Sequence, residues 1–474
     1  MTPPTARRTL GIEPFYVMEI VKEAQRLSEA GRSIVHLSIG EPDFTAPPPV
    51  QAAARQAIDA GLTQYTPALG TDALREAIAA DYARRFQLAV DPQRVVVTAG
   101  ASGALLLALA ALLERDRTLL MPDPSYPCNR HFAAVLEGSA QLLPCGPGTR
   151  FQPTAAMVDA AWGGQTAGVL LASPSNPTGT SIELPVLAEI ADRVRARSGF
   201  LIVDEIYQGL SYDHAPSTVL SLGEDVLALA SFSKYFSMTG WRLGWLVAPR
   251  GLVPALEKLA QNLFICPSAI AQHAALACFS TEALAIYEER REEFRRRRDF
   301  LVPALRRLGF DVPVVPDGAF YVYAGVSRFA ADSWDFSFDL LRETGVCVVP
   351  GRDFGAAETA RYVRLSYANK QEKLEEAVDR MERHLRRRWP AARSRAKSLD
   401  SPPPRARSTG VRQMCRWSDE GSAGAADAGS ALPTGTLVPW APAASARRLA
   451  ARASRTLPDA ASLMRAISPR TRVA

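Results

Sequence analysis

Ser231-Phe-Ser-Lys234-Tyr-Phe-Ser-Met-Thr-Gly-Trp-Arg242-Leu-Gly-Trp245 follows an apolar run, Val226-Leu-Ala-Leu-Ala230. The run has no polar face, so it reads as a strand buried on both sides in a parallel sheet. It stops at a Ser-x-Ser-Lys turn. A lysine at the end of a buried strand is costly if it stays charged and unpaired. Burial lowers its pKa and leaves a nucleophilic amine. Arg242 comes eight residues later, between Gly240 and Gly244. Two hydroxyls and a guanidinium beside that amine suit a phosphate dianion. A surface turn with a snorkelling lysine would account for Lys234 taken alone; the chain upstream argues against it.

Upstream, Val95-Val-Val-Thr98, Leu119-Leu-Met121, Val169-Leu-Leu-Ala172 and Phe200-Leu-Ile-Val203 read as further apolar strands with helical segments among them. The alternation predicts an α/β fold with a mostly parallel, doubly wound sheet. Ligands in such sheets sit beyond the C-terminal strand ends, so the residues just past each strand are informative. After the first comes Ala99-Gly-Ala101-Ser102-Gly103 and an apolar helix from Ala104, an anion site of free backbone N–H groups, although ordinary α/β turns look the same. After the others come Pro124-Ser-Tyr126-Pro, Ser173-Pro-Ser-Asn176-Pro-Thr-Gly179 and Asp204-Glu-Ile-Tyr207. Five strand ends thus offer phosphate donors, an aromatic ring, an amide, a carboxylate with a tyrosine, and a lysine with an arginine.

The flanks supply fewer signals. Residues 16–30 place Val17, Ile20, Val21, Ala24 and Leu27 on one helical face, closed by Gly31. Residues 34–39 read as a short strand ending at Gly40, and residues 64–70 as a loop carrying Tyr65. Thr71 is the expected N-cap of a helix with Leu74, Ile78 and Tyr82 inward. A long helix over 283–308 is capped by Gly309. Strands at 318–323, 346–349 and 361–366 and an amphipathic helix at 370–388 complete a second, smaller α/β region. The expected division is an N-terminal arm with part of the small domain (1–45), a large domain (46–282), a small C-terminal domain (283–392) and a disordered, low-complexity tail (393–474) marked by Ser401-Pro-Pro-Pro and Gly421-Ser-Ala-Gly.

Hydrophobic residues make up 47% and charged residues 22% of the 474-residue chain, ordinary values for a globular protein. No run of eighteen apolar residues suggests a membrane span, and the N-terminus lacks the apolar core of a signal peptide. Six scattered cysteines without a CxxC pair predict neither a metal site nor a disulfide framework, and fit a reducing cytoplasm. The basic balance does not predict nucleic-acid binding. Residues 396–474 hold 12 Lys+Arg and 5 Asp+Glu, a net of +7 against +6 for the whole chain, so the body is nearly neutral.

A lysine beside a phosphate cradle is what a pyridoxal phosphate Schiff base requires. With Ser-Phe-Ser-Lys-(x7)-Arg, Asn-Pro-Thr-Gly and Asp-Glu-x-Tyr at these spacings, the chain from about Gly11 to Arg388 resembles the class I/II family of fold-type I aminotransferases. The resemblance implies pyridoxal 5′-phosphate as cofactor. It implies an amino group moved between an L-amino acid and a 2-oxo acid, with 2-oxoglutarate and glutamate as one pair, and a homodimer with composite sites. By the same resemblance Lys234 bonds the cofactor and later moves the substrate proton, and Asp204 pairs with the ring nitrogen. Asn176 and Tyr207 reach the phenolic oxygen, and Tyr126 stacks on the ring. Ala101, Ser102, Ser231 and Arg242 hold the phosphate, with Ser233 a further donor. Tyr65 reaches the partner's cofactor, and Arg364 clamps the substrate α-carboxylate beside the Gly40 backbone. Glu205 and the five histidines receive no chemistry.

Two departures bear on substrate. Members directed at dicarboxylic substrates often carry lysine where this chain has Ser102, and tend to be polar where it has Gln261-Asn-Leu-Phe264-Ile265-Cys266. Phe15, Tyr16, Phe264 and Ile265 are therefore expected around a distal pocket for an uncharged side chain. A carbon–sulfur β-lyase on the same scaffold would share these residues. An aminotransferase-like sensor would need a DNA-binding module, which the short segment before the resemblance does not hold.

Overall fold

The computed structural model describes residues 3–389, so the tail expected at 393–474 lies outside the described residues. Its strands are β1 (Val35–His36), β2 (Val95–Thr98), β3 (Thr118–Asp123), β4 (Ser139–Pro144), β5 (Thr166–Ala172), β6 (Phe200–Asp204), β7 (Leu227–Ser231), β8 (Gly244–Val247), β9 (Tyr321–Gly325), β10 (Val346–Cys347), β11 (Val349–Pro350) and β12 (Tyr362–Ser366). Seven form one sheet in the order β2-β8-β7-β6-β5-β3-β4. The pairs from β7 through β4 are parallel, whereas β8 runs antiparallel to both β7 and β2. Two reversals restore the direction, so β2 points the same way as β7. The C-terminal ends of β2, β3, β5, β6 and β7 therefore share one edge of the sheet.

The expected apolar runs β2 and β7 are buried at every residue. β4 and β8 were not expected. β4 alternates exposed and half-buried residues over Ser139–Leu142 as an edge strand, with Leu143 buried, and β8, buried at every residue, hides behind the glycines that had suggested only a turn. β8 needs Gly244: a Cβ there would stand 2.7 Å from the Gly100 carbonyl carbon and 2.8 Å from the Ala101 nitrogen. That close approach brings Arg242, two residues earlier, over the start of the helix after β2.

The flanking region forms a three-stranded antiparallel sheet, β11-β12-β9. The single strand expected at 346–349 is two. β10 pairs in parallel with β1, β11 pairs antiparallel with β12, and Val348 between them carries the chain from one sheet to the other. The strand expected at 34–39 is only Val35–His36. Thr71 stands at the N-cap of Asp72–Phe86, but its side chain makes no capping bond; its backbone N–H donates to Gln272 Oε1 at 2.8 Å. The long helix is Thr281–Leu308, with Gly309 in the left-handed region at φ 97°. Val17–Glu29 buries Ile20, Ala24 and Leu27, and Gln371–Arg388 buries Leu374, Val378, Met381 and Leu385. Among the described residues no single helix is long and apolar enough to cross a membrane, and no group of side chains could hold a metal ion.

Candidate active site

The shared strand edge opens into a cavity of about 390 Å³. Gly40, Ala101, Ser102, Tyr126, Asn176, Asp204, Tyr207, Ser231, Ser233, Lys234, Arg242 and Arg364 all line it. Tyr65 does not. It lies 81% exposed on its loop, away from the site of its own chain.

At one end the cavity is an anion cradle. The helix after β2 begins at Gly100, four residues earlier than expected, so Ala101 and Ser102 belong to its first turn. No side chain caps that turn, which leaves its N–H groups for a ligand. Arg242, at φ 54°, donates from Nη1 to the Thr239 carbonyl at 3.0 Å. Its Nη2 covers Gly100, where an added Cβ would come within 2.7 Å, and Gly100 has φ +73°. The positive φ favours glycine there, and a side chain at 100 would push the guanidinium aside. Ser231 Oγ donates to the Leu243 carbonyl at 3.1 Å and stands 2.9 Å from Ser233 Oγ. Backbone N–H groups, two hydroxyls and a guanidinium are a donor set for a phosphate dianion.

At the floor, Lys234 Nζ donates to the Gly40 carbonyl at 2.5 Å. Burial lowers its pKa to about 8; Glu41 and Asp204 act against that, and Arg364 and Arg242 add to it. Asp204 accepts from the Ile206 N–H at 3.0 Å. Burial pushes its pKa up to about 6, against the Ile206 hydrogen bond and the Lys234 charge. Both side chains are surrounded by protein yet keep some surface toward the cavity. Asp204 is therefore an anion at neutral pH, poised for a cationic ring nitrogen. Tyr207 Oη lies 2.9 Å from Tyr321 Oη.

Opposite stands Arg364, buried between the rings of Tyr321 and Phe354, with its Cζ 4.5 Å and 5.0 Å from their centroids. Nη1 donates to Asn176 Oδ1 at 2.9 Å and Nη2 to the Ser38 carbonyl at 2.8 Å. Nε is buried without a partner among the described residues. A buried guanidinium with an unspent donor and no carboxylate bonded to it is a site for a ligand's carboxylate. The cradle, the lysine, the acid and this arginine together fit pyridoxal phosphate and an amino acid.

The remaining wall is mostly apolar: Val17, Met18 and Val21 from Val17–Glu29, with Phe15, Ile39, Leu105 and Phe132, while Ser38, Asn129 and Thr239 add uncharged polar groups. Of the four residues expected there, only Phe15 lines the cavity. Tyr16 turns away to meet Trp334 edge-on at 6.0 Å, because its N–H and that of Val17 are held by the Asp353 carboxylate. Phe264 packs, partly buried, against a core cluster of the large sheet, and Ile265 is exposed. The sequence reading missed the actual wall because Val17 and Val21 look like ordinary core positions of an amphipathic helix. It also left Tyr321 without a role; its strand was legible, its pairing opposite Arg364's strand was not. Glu205 is structural. It is buried and accepts from Thr218 Oγ1 at 2.8 Å and the Val219 N–H at 2.6 Å, and burial pushes its pKa up to about 8.

An anion cradle, a buried lysine and an acid at the strand ends of a doubly wound sheet, facing an arginine from a second sheet, define a fold-type I transferase. A family model, aminotransferase class I and II, matches residues 32–381. The chain is 43% identical over 373 residues to the valine–pyruvate aminotransferase of Mycobacterium tuberculosis, which covers 78% of this chain and 96% of that protein. A crystal structure of an aminotransferase from Mycobacterium tuberculosis superposes with a TM-score of 0.78 at 43% identity, over 81% of this chain and 99% of the other. The aspartate aminotransferase of Thermus thermophilus with maleate does so with 0.76 at 33% identity, over 81% and 100%. The chain belongs to the class I and II aminotransferases. It is an enzyme that moves an amino group between an amino acid and a 2-oxo acid, in a family that depends on pyridoxal phosphate.

Proposed function

We propose that this aminotransferase binds pyridoxal 5′-phosphate in the described cavity and prefers amino donors with uncharged side chains. The observation that carries the preference is the charge inventory of the wall. Lys234, Arg242 and Arg364 are the cations among its lining residues, and each has a task. A second substrate carboxylate would meet Val17, Met18, Val21 and Phe132 instead, and a buried carboxylate without a cation is strongly disfavoured. The likeness to a valine–pyruvate aminotransferase supports the same reading, because neither valine nor pyruvate carries a second carboxylate.

In this reading Ala101, Ser102, Ser231, Ser233 and Arg242 hold the phosphate. Tyr126 packs on the ring, and Asn176 and Tyr207 meet its phenolic oxygen. Asp204 keeps its nitrogen protonated. The bound cofactor supplies an electron sink for the charge left at the substrate's Cα. Arg364 binds the α-carboxylate beside the Gly40 backbone, and Lys234 holds and moves the proton at that Cα. The large domain (46–282) carries the cradle and the Leu105 and Phe132 part of the wall, while the small one (283–392) brings Arg364 and the arm (1–45) brings Phe15, Val17, Met18, Val21 and Ile39. Five free cysteines among the described residues suit a reducing cytoplasm.

A donor panel of aspartate, alanine, valine, leucine, methionine and phenylalanine, each with pyruvate and with 2-oxoglutarate, tests the preference. At least one uncharged donor should match or exceed aspartate in kcat/KM. Aspartate ahead of all the others by about a hundredfold or more, some 2.7 kcal/mol, would refute the reading of the wall.

The proposal includes a twofold dimer whose partner receives Tyr65. That tyrosine is exposed, yet its loop is pinned: fully buried Gln272 donates to Thr66 Oγ1 at 2.9 Å and accepts from the Thr71 N–H. A large aromatic left in solvent on a pinned loop is placed for a partner. Sedimentation at assay concentration should give a dimer, and Tyr65→Phe should weaken cofactor binding. A fully active monomer would exclude composite sites.

A further inference from the structure

Tyr207 and Tyr321 share one hydrogen bond, 2.9 Å long, and neither hydroxyl has another partner among the described residues. Two hydroxyls carry two protons, and the shared bond uses one. The other proton points away from the pair, and which tyrosine keeps it depends on which one donates. The surroundings decide this. The Arg364 guanidinium lies over the Tyr321 ring at 4.5 Å. A cation on a phenol ring withdraws charge from it, which makes its hydroxyl a better donor and a poorer acceptor. Burial raises both phenols, Tyr207 well above its ordinary value; at Tyr321 the Arg364 charge is the first influence acting against burial. Tyr321 is also fixed in place. It pairs with Ser366 in the β9–β12 ladder, on the face that carries Arg364, and its Oη would stand 3.3 Å from a Cβ on Gly40, the residue whose carbonyl accepts from Lys234.

We propose that Tyr321 is a positioning residue for amino transfer: its hydroxyl donates to Tyr207, which commits the Tyr207 proton to the cavity, while its ring seats Arg364 at the carboxylate site. This rests on the reading that Tyr207 donates to the cofactor's phenolic oxygen. Occupation of the carboxylate site is thereby linked to the strength of that donor. A substrate carboxylate on Arg364 offsets the cation over the Tyr321 ring, weakens the Tyr321 donor and loosens the grip of Tyr207 at the moment the substrate arrives.

The test separates the two claims. In the cofactor-loaded enzyme, absorbance titrates with the proton on the Lys234 nitrogen. A donor to the phenolic oxygen draws off the negative charge that holds this proton, so weakening the donor raises the midpoint. Tyr207→Phe should raise it by about one pH unit, and Tyr321→Phe, which keeps the ring under Arg364, by about half as much. The double variant should shift no further than Tyr207→Phe alone, because Tyr321 acts through Tyr207. An additive double variant, or an unmoved midpoint in Tyr321→Phe beside a shifted one in Tyr207→Phe, would overturn the coupling alone. An unmoved midpoint in Tyr207→Phe would remove the Tyr207 assignment and the coupling with it. As a second readout, the Tyr321→Phe apoenzyme should bind pyridoxal phosphate about three- to tenfold more weakly, the worth of about one hydrogen bond; unchanged affinity counts against the proposal.

Discussion

Lys234→Ala is expected to abolish amino transfer, with kcat lowered by about ten-thousandfold or more, while the protein still folds. Loss of a positioned general base alone removes about a hundred- to ten-thousandfold, and Lys234 is the one amine among the residues lining the cavity. Borohydride reduction of the loaded wild-type enzyme should attach the pyridoxyl group to Lys234 and to no other lysine. Labelling elsewhere, or activity within tenfold of wild type, would displace Lys234 from its role. The burial that makes the amine reactive also has a sign for stability. The folded pKa of about 8 lies below the ordinary lysine value of 10.5. Above that ordinary value the neutral amine carries no penalty; the penalty grows as pH falls and is complete below about 8. Lys234→Met should therefore make the cofactor-free protein more stable than wild type at pH 7, by urea midpoint, with the advantage shrinking as pH rises from about 8 toward 10.5. An advantage independent of pH would mean that repacking, not the buried charge, is responsible.

Arg364→Lys should lower kcat/KM by roughly 30- to 1000-fold, and by similar factors for every donor. A charge-assisted pair lost in a partly dry site costs about 2–4 kcal/mol, which gives that range. The geometry explains why lysine is no substitute. One planar group spans Asn176 Oδ1 and the Ser38 carbonyl, lies between two rings, and keeps Nε free. An ammonium cannot make both bonds and stack as well, and it leaves Asn176 or Ser38 unpaired. A loss confined to one donor would place Arg364 at the side-chain end of the cavity instead of the carboxylate end.

The chemistry-bearing residues were legible because each lies within a few positions of the end of an apolar run. Strand burial and turn chemistry are local, so Lys234, Asp204, Tyr207, Asn176 and Tyr126 could be placed at one sheet edge from the order of the runs. The resemblance then joined Arg364 to them across a separation of 188 residues from Asn176. Distance in the chain also explains what was misread. Tyr16, Phe264 and Ile265 were assigned by character, yet a side chain's direction depends on what holds its backbone, and for Tyr16 that is Asp353, 337 residues away.

The amino-acid order by itself determined the α/β alternation, the parallel run of strands, the set of groups offered at their ends and the family membership those groups imply. Tertiary structure alone decided which way those groups face and what they touch. The antiparallel return of β8 sets Arg242 over Gly100. The chain's passage through Val348 from β10 to β11 ties the N-terminal arm to the sheet that carries Arg364. The β9–β12 register puts Tyr321 between Arg364 and Tyr207. Local propensity extends over a few residues, whereas strand register and carboxylate caps are set by packing between segments hundreds of residues apart, where no periodicity in either segment encodes the other.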